Sequence, residues 1–146
     1  MATFTRTVTV DWAVSVMEGK GEAKAASGAF TLPVTFPSRI GEPAGRTSPE
    51  ELLAASHAAC YAMALNATLG KKGGSAARTV VSATVSADKG ESGIKLTSSR
   101  LTVVAEGLQG IEKSQFAEIA KAAEGSCPIS NALRGTLQID LDAQVK

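Results

Sequence analysis

Residues 48–70 read SPEELLAASHAACYAMALNATLG, and this stretch decides the fold because it predicts one long helix. Ser48 is a favourable N-cap, Pro49 suits the first helical position, and Glu50 lies where the helix dipole favours negative charge. The Ala- and Leu-rich run then continues until Gly70, which is expected to end it. A helix of this length, about 20 residues, extends roughly 30 Å.

Small and apolar side chains recur along this helix at spacings of one, three and four, so that they occupy much of its circumference. These positions are Leu52, Leu53, Ala55, Ser56, Ala59, Cys60, Met63, Ala64 and Ala67. We therefore expect other parts of the protein to cover the helix on most sides.

The sequence before the long helix predicts two strands and then an irregular loop. Alternating apolar residues indicate a strand over 4–16, and a second strand is expected over 21–30. Residues 31–47 contain three prolines and two glycines, a composition typical of a loop.

The sequence after the long helix predicts a hairpin, two helices and a final strand. Their expected ranges are strands 78–88 and 93–106 joined by a loop longer than two residues, helix 111–124, a short helix 128–134 closed by Gly135, and strand 136–145. With no internal repeats or linkers, residues 1–146 are interpreted as a single α+β domain.

Composition and charge exclude several classes of partner. The chain has 44% apolar but only 4% aromatic residues, which indicates a core of Ala, Val, Leu and Ile. Fifteen basic and 14 acidic residues give a net charge of +1 without a basic block, so neither nucleic acid nor a membrane surface is an expected partner. The N-terminus alternates polar and apolar residues instead of resembling a secretory signal, and we expect a cytoplasmic protein.

Cys60 and Cys127 are the only cysteines, and in a reducing compartment such a pair is either two inert core thiols or a redox couple. Cys60 lies mid-helix among alanines, where burial raises the pKa of a thiol and makes it unreactive unless a cation is supplied from elsewhere. His57, one turn earlier, is interpreted as a neutral buried residue. A metal site at His57 and Cys60 would need two more ligands from a chain with no second histidine, so we expect no metal and no other cofactor.

Cys127 lies in a different local environment. Pro128 at the first helical position would make Cys127 the N-cap, where backbone N–H groups and the helix dipole stabilise a thiolate. Alternatively, Ser126 caps this turn and Cys127 only fills the core. Local chemistry alone favours Cys127 over Cys60 as the nucleophile and leaves both interpretations of Cys127 open.

The run from Ser48 to Cys60, the segment GSCPIS at 125–130 and the C-terminal strand together resemble the OsmC/Ohr family of thiol-dependent hydroperoxide reductases. The forms His-Ala-Ala-Cys and Cys-Pro-Ile-Ser are closer to the OsmC branch. The resemblance implies antiparallel sheets packed around the long helix, in an intertwined homodimer. It also implies an organic hydroperoxide substrate, with hydrogen peroxide as a further candidate, and an external dithiol reductant of unknown identity.

The same resemblance assigns roles to individual residues. It makes Cys60 the peroxidatic cysteine and Cys127 the resolving one, which reverses the order that local chemistry favours. It also maps an activating arginine to Arg39 and a supporting glutamate to Glu50, with Arg46 as a competitor for the role of Arg39.

Helix geometry adds a constraint on these four residues. Glu50 and Cys60 are ten residues apart, which on one straight helix means about 15 Å of rise. An Arg39–Glu50 pair can therefore serve Cys60 only if the helix breaks or if the pair comes from another subunit. We expect the second arrangement.

Two other functional classes are compatible with the same residues. One is a stress-associated binding protein on this fold whose thiols are no longer catalytic. The other is a redox sensor whose disulfide changes a partner, although the absence of a CxxC motif weighs against a general thiol oxidoreductase.

Overall fold

The computed structural model describes residues 2–146 and divides the chain into two compact units, Met1–Leu52 and Leu53–Lys146. The first unit contains a three-stranded sheet. The second contains another three-stranded sheet, most of the long helix and two shorter helices. This agrees with the expected α+β class.

The first sheet is antiparallel, in the order β1 (Val8–Ala13), β2 (Lys20–Ala25) and β3 (Thr31–Val34). Strands β1 and β2 lie within or close to the expected ranges but are shorter. All six residues of β1 are exposed, so that neither face of this strand is covered.

The prediction of an irregular loop over 31–47 was wrong in its first half, which contains β3 and a short helix, α1 (Phe36–Ile40). Pro33 is compatible with β3 because this strand lies at the edge of the sheet, where proline is tolerated. Thr35 caps α1, its Oγ1 accepting a hydrogen bond from the Ser38 backbone N–H at 3.3 Å. The remaining residues up to Thr47 are irregular, as expected.

The long helix, α2 (Pro49–Lys71), begins where the sequence predicts. Ser48 Oγ accepts a hydrogen bond from the Glu51 backbone N–H at 3.1 Å, which confirms the N-cap. The helix continues through Gly70 and ends at Lys71. After its last turn, the backbone carbonyl of Leu69 accepts hydrogen bonds from the N–H groups of Lys72 and Gly74.

Only one stripe of α2 is fully buried, at a spacing of four residues: His57, Tyr61, Leu65 and Leu69. Met63 is 70% exposed. The expectation that α2 is covered on most sides is therefore wrong for the single chain. By length and composition α2 could cross a bilayer, and its buried stripe packs into the core of the second unit.

The second sheet has the order β4 (Ser75–Gly90), β5 (Gly93–Gln109) and β6 (Gln138–Val145). Strands β4 and β5 form the expected hairpin, but their pairing extends to Gly90 and Gly93. The connecting loop is therefore two residues long, and the prediction of a longer one was wrong. Strand β6 runs parallel to β5, so the expectation of purely antiparallel sheets was also wrong at this edge.

The parallel pairing of β6 follows from the helices that precede it, since a parallel neighbour needs a long crossover connection. This connection contains a 3₁₀ turn (Lys113–Gln115), α3 (Phe116–Ser126) and α4 (Pro128–Leu133). Gly135, with a φ of +85°, follows α4 at the expected position.

The core of the second unit lies between the sheet, the buried stripe of α2 and one face of α3. Tyr61 donates a hydrogen bond to the Ala120 backbone carbonyl at 3.0 Å, which fixes α2 to α3. The largest contributions to this core come from Tyr61, Leu65, Leu69, Leu101, Val103, Phe116, Ile119 and Cys127.

Candidate active site

The fold brings the two sulfur atoms together although the cysteines are 67 positions apart. Cys60 lies in the middle of α2, Cys127 lies at the start of α4, and their Sγ atoms are 3.2 Å apart, with Cys127 donating. A disulfide has a length of about 2.05 Å, so an approach of about 1 Å would suffice to form the bond. The two thiols therefore lie close enough to act as a redox couple.

Cys127 is both an N-cap and a core residue, two roles that the sequence analysis treated as alternatives. It is the N-cap of α4, its Sγ accepting a hydrogen bond from the Ser130 backbone N–H at 3.5 Å, and it is also completely buried in the core. Ser126 does not cap this helix, because its hydroxyl donates to the Ala123 carbonyl at 3.0 Å.

Cys60 is partly buried, and burial raises the pKa of its thiol above the ordinary value. The neighbouring sulfur of Cys127 raises the pKa further, while a backbone hydrogen bond at Ile129 opposes both effects. The prediction that burial raises the pKa of the Cys60 thiol is therefore confirmed in direction.

Cys60 opens onto a largely apolar groove of about 620 Å³ between α2 and the start of α4. Its walls include Met63 on α2. The other apolar lining residues are Ala59, Ala64, Ala67, Pro128 and Ile129, and the polar ones are Ser56, Thr68, Lys71 and Ser126. An apolar wall of this kind suits an organic molecule better than a strongly hydrated one.

In the first unit, Arg39 and Glu50 form a bidentate ion pair. Arg39 Nε lies 3.1 Å from both Glu50 carboxylate oxygens, and Arg39 Nη2 lies 2.6 Å from Oε1. The hydrogen bond from Arg39 lowers the pKa of Glu50 and correspondingly raises the pKa of Arg39. Within residues 2–146, Arg46 is exposed and its side chain makes no hydrogen bond or ion pair.

Arg39 also borders an apolar cavity of about 250 Å³ within the first unit. Phe36 forms part of its wall. The remaining lining residues are Trp12, Val16, Val34, Thr35 and Pro49. The ion pair thus presents a fixed cation next to an apolar space.

The Glu50→Gln variant is expected to lose stability in a pH-dependent way. Because the Glu50 pKa is lowered in the folded state, the ion pair stabilises the protein above the ordinary pKa of 4.5, and this contribution disappears as the pH falls through the lowered value. At pH 7 we expect the variant to unfold with a free energy about 1 kcal/mol smaller than the wild type. Urea unfolding at pH 7 and at pH 3 measures the difference.

Glu42→Gln is the matched control, since Glu42 is an exposed carboxylate in the same unit. It should leave the free energy of unfolding nearly unchanged at both pH values. An equal loss for the two variants at pH 7 would contradict a specific Arg39–Glu50 contribution.

His57 is completely buried, and both of its ring nitrogens form hydrogen bonds. Nδ1 lies 2.7 Å from Ser99 Oγ on β5, and Nε2 lies 2.7 Å from Ser130 Oγ on α4. Burial lowers the pKa of His57, whereas the charge of Glu124 acts in the opposite direction. The interpretation of His57 as a buried residue with satisfied ring nitrogens is confirmed.

The sequence analysis did not identify Ser99 as a partner of His57. The signal was nevertheless present, because Ser99 has the same strand parity as the buried residues Leu101, Val103 and Ala105. A polar side chain in that register requires a buried partner. Ser130 belongs to the Cys-Pro-Ile-Ser motif, but its contact with His57 depends on the tertiary fold.

The structure therefore forms two pairs from the four predicted site residues. Cys60 meets Cys127 within Leu53–Lys146, and Arg39 meets Glu50 within Met1–Leu52.

Comparisons with known proteins place the chain in one family. Residues 41–142 match the family model described as OsmC-like protein, a range that includes Glu50, Cys60 and Cys127 but not Arg39. The chain is 36% identical over 137 residues to the peroxiredoxin OsmC of Escherichia coli, covering 92% of each chain.

Solved structures share the whole fold. One is an organic hydroperoxide resistance protein OsmC of Legionella pneumophila, which is 25% identical with a TM-score of 0.76 and 99% coverage of both chains. Another is the organic hydroperoxide resistance protein OhrB of Bacillus subtilis, 27% identical with a TM-score of 0.72, covering 97% of this chain and 99% of the other.

Proposed function

Because the chain belongs to the OsmC-like protein family, we propose that it is a cysteine-based peroxidase that reduces organic hydroperoxides. The observation that carries the proposal is the 3.2 Å separation of the Cys60 and Cys127 sulfur atoms beside an apolar groove. Two thiols at this distance can complete a two-step oxidation, which two isolated thiols cannot.

In the first step, the Cys60 thiolate attacks the outer oxygen of the peroxide and the O–O bond breaks. Cys60 becomes a sulfenic acid, and the leaving alkoxide takes up a proton to give the alcohol. In the second step, the Cys127 sulfur attacks the Cys60 sulfur. The sulfenic hydroxyl leaves with the Cys127 proton as water, and the Cys60–Cys127 disulfide forms. An external dithiol then returns both sulfurs to thiols by supplying two electrons and two protons.

Formation of the Cys60 thiolate is the step that needs help, because burial raises the pKa of this thiol. A fixed guanidinium close to the sulfur would counter that effect. We assign this role to Arg39, since Glu50 holds its guanidinium in a bidentate contact, and not to the exposed Arg46.

We assign Arg39 and Glu50 to the site of a second copy of the chain. Helix α2 is continuous from Pro49 to Lys71, and ten residues of helix separate Glu50 from Cys60 by about 15 Å. A homodimer also accounts for exposed apolar side chains, among them Val10 on β1 and Met63 on α2, which a second copy would cover.

The same arrangement suggests how the substrate is held. Phe36 borders the cavity next to Arg39, and Met63 borders the groove next to Cys60. Joined across a subunit contact, these two apolar spaces would enclose the organic part of a hydroperoxide while its O–O group lies between the guanidinium and the sulfur.

We place this reaction in the cytoplasm. We interpret residues 1–146 as one domain, because the matched range 41–142 crosses the boundary at Leu52.

The Cys127→Ser variant tests which sulfur is oxidised first. After one equivalent of cumene hydroperoxide, a sulfenic acid should persist at Cys60, because no resolving thiol remains to condense with it. A sulfenic-acid probe followed by peptide mass spectrometry should place the label on position 60.

Wild-type protein treated in the same way is the control, and it should contain the Cys60–Cys127 disulfide and no label. If neither protein consumes the peroxide, the chain is a binding protein with inert thiols and the proposed function is wrong.

A further inference from the structure

Helices α2 and α4 are connected by two side-chain contacts that are one helical turn apart. The first contact joins the sulfur atoms of Cys60 and Cys127, and the second joins His57 Nε2 to Ser130 Oγ at 2.7 Å. On each helix the two participants are three residues apart, so they lie on the same face. The two contacts run in opposite chain order, as expected for two antiparallel helix segments.

The two contacts are also linked at the start of α4. The backbone N–H of Ser130 donates a hydrogen bond to the Cys127 sulfur at 3.5 Å, while the side chain of Ser130 is bound by His57. A shift of Ser130 away from His57 would therefore also shift the group that orients the Cys127 sulfur.

His57 itself is held from its other side by the sheet. Its Nδ1 lies 2.7 Å from Ser99 Oγ on β5, and His57, Ser99 and Ser130 are all completely buried. A neutral imidazole has one donor and one acceptor, so the two serine hydroxyls satisfy both nitrogens. With every polar group paired, such a network is rigid and tolerates little displacement.

We propose that His57 is a positioning residue for the resolving step, holding Ser130 and the start of α4 so that the Cys127 sulfur stays within reach of Cys60. The inference rests on the proposed peroxidase function and adds a residue to it. Among residues 2–146, His57 makes its side-chain hydrogen bonds to the two serines and to neither sulfur, so it acts through α4.

This role affects only one of the two chemical steps. Peroxide attack takes place at the Cys60 sulfur on α2, and His57 makes no hydrogen bond to this sulfur. Disulfide formation needs the sulfurs on both helices, and small misplacements of reacting atoms have large effects on rate. Loss of the His57–Ser130 contact should therefore slow disulfide formation and spare sulfenic acid formation.

Two isosteric variants separate positioning from general stability. Asn can place its amide near the position of Nδ1 and so keep the contact with Ser99, whereas Gln can place its amide near Nε2 and keep the contact with Ser130. Each variant leaves one buried serine without its ring partner, so the two should lose similar stability. Thermal unfolding of both variants checks this match.

The experiment is a single turnover with one equivalent of cumene hydroperoxide and no reductant, quenched over time and analysed for thiols, labelled sulfenic acid and disulfide. We expect His57→Asn to form the disulfide about tenfold more slowly than the wild type, with sulfenic acid accumulating at Cys60. His57→Gln should stay within about threefold of the wild-type rate, and both variants should consume the peroxide at the wild-type rate.

Equal rates of disulfide formation in the Asn and Gln variants would overturn the proposal, as would an equal slowing of both chemical steps. If either variant does not fold, Ser130→Ala and Ser99→Ala form the alternative pair, and only Ser130→Ala should slow disulfide formation. A wild-type protein that neither consumes the peroxide nor forms the Cys60–Cys127 disulfide would refute the peroxidase function itself, a result distinct from a failure of the role of His57.

Discussion

The Cys60→Ser variant is expected to reduce cumene hydroperoxide at least about a thousandfold more slowly than the wild type, because the reaction loses its nucleophile. A serine hydroxyl cannot replace the thiolate, whose oxidation state must change in the first step. Peroxide consumption under an excess of a dithiol reductant measures the effect.

Cys127→Ser is the matched control for this variant. It removes the other sulfur of the pair, yet it should still consume one equivalent of peroxide in the absence of reductant. A fully active Cys60→Ser protein would show that the roles of Cys60 and Cys127 are reversed, in agreement with the local chemistry of Cys127 at the start of α4.

Mixed dimers are expected to recover activity from two inactive proteins. Arg39→Gln should lose about a hundredfold in rate, because it removes the charge that stabilises the Cys60 thiolate. In a dimer that combines an Arg39→Gln chain with a Cys60→Ser chain, one of the two sites would contain an intact Cys60 and an intact Arg39, provided that they come from different chains.

Random pairing makes half of the dimers mixed, so co-expression of the two chains should restore about a quarter of the wild-type activity. Purification through a different tag on each chain isolates the mixed dimer, which should have about half of the wild-type activity. If Arg39 serves Cys60 of its own chain, both sites of the mixed dimer are defective and no activity returns. Co-expression of Cys60→Ser with Cys60→Ala is the control and should stay inactive.

The parts of the fold that sequence could predict are those with local causes. The start of α2 is determined by Ser48 and Pro49, and the end of α4 by Gly135, so both were placed correctly. Burial of Cys60 among alanines likewise predicted the direction of its pKa shift.

The parts that sequence could not predict depend on pairing between distant segments. Strand β3 lies in a proline-rich stretch, and only its place at a sheet edge makes Pro33 acceptable. The parallel direction of β6 depends on the path of α3 and α4. The alternation of residues within a strand carries no information about that path.

The candidate site shows the same division. The motifs around Cys60 and Cys127 identified the sulfur pair, whereas the contact of His57 with Ser99 joins residues 42 positions apart and required the fold. The resemblance left Arg46 as a competitor of Arg39, and the bidentate ion pair of Arg39 with Glu50 favours Arg39 on geometry.

The short distance between the two sulfurs limits the conformational change that oxidation can cause. Because the thiols already lie 3.2 Å apart, the bond can close without a large rearrangement of α2 or α4. Reduced and oxidised molecules would then present nearly the same outline to other proteins. A redox sensor needs two conformations that its partner can distinguish. This geometry therefore suits a catalyst that is reduced again after each cycle better than it suits a sensor.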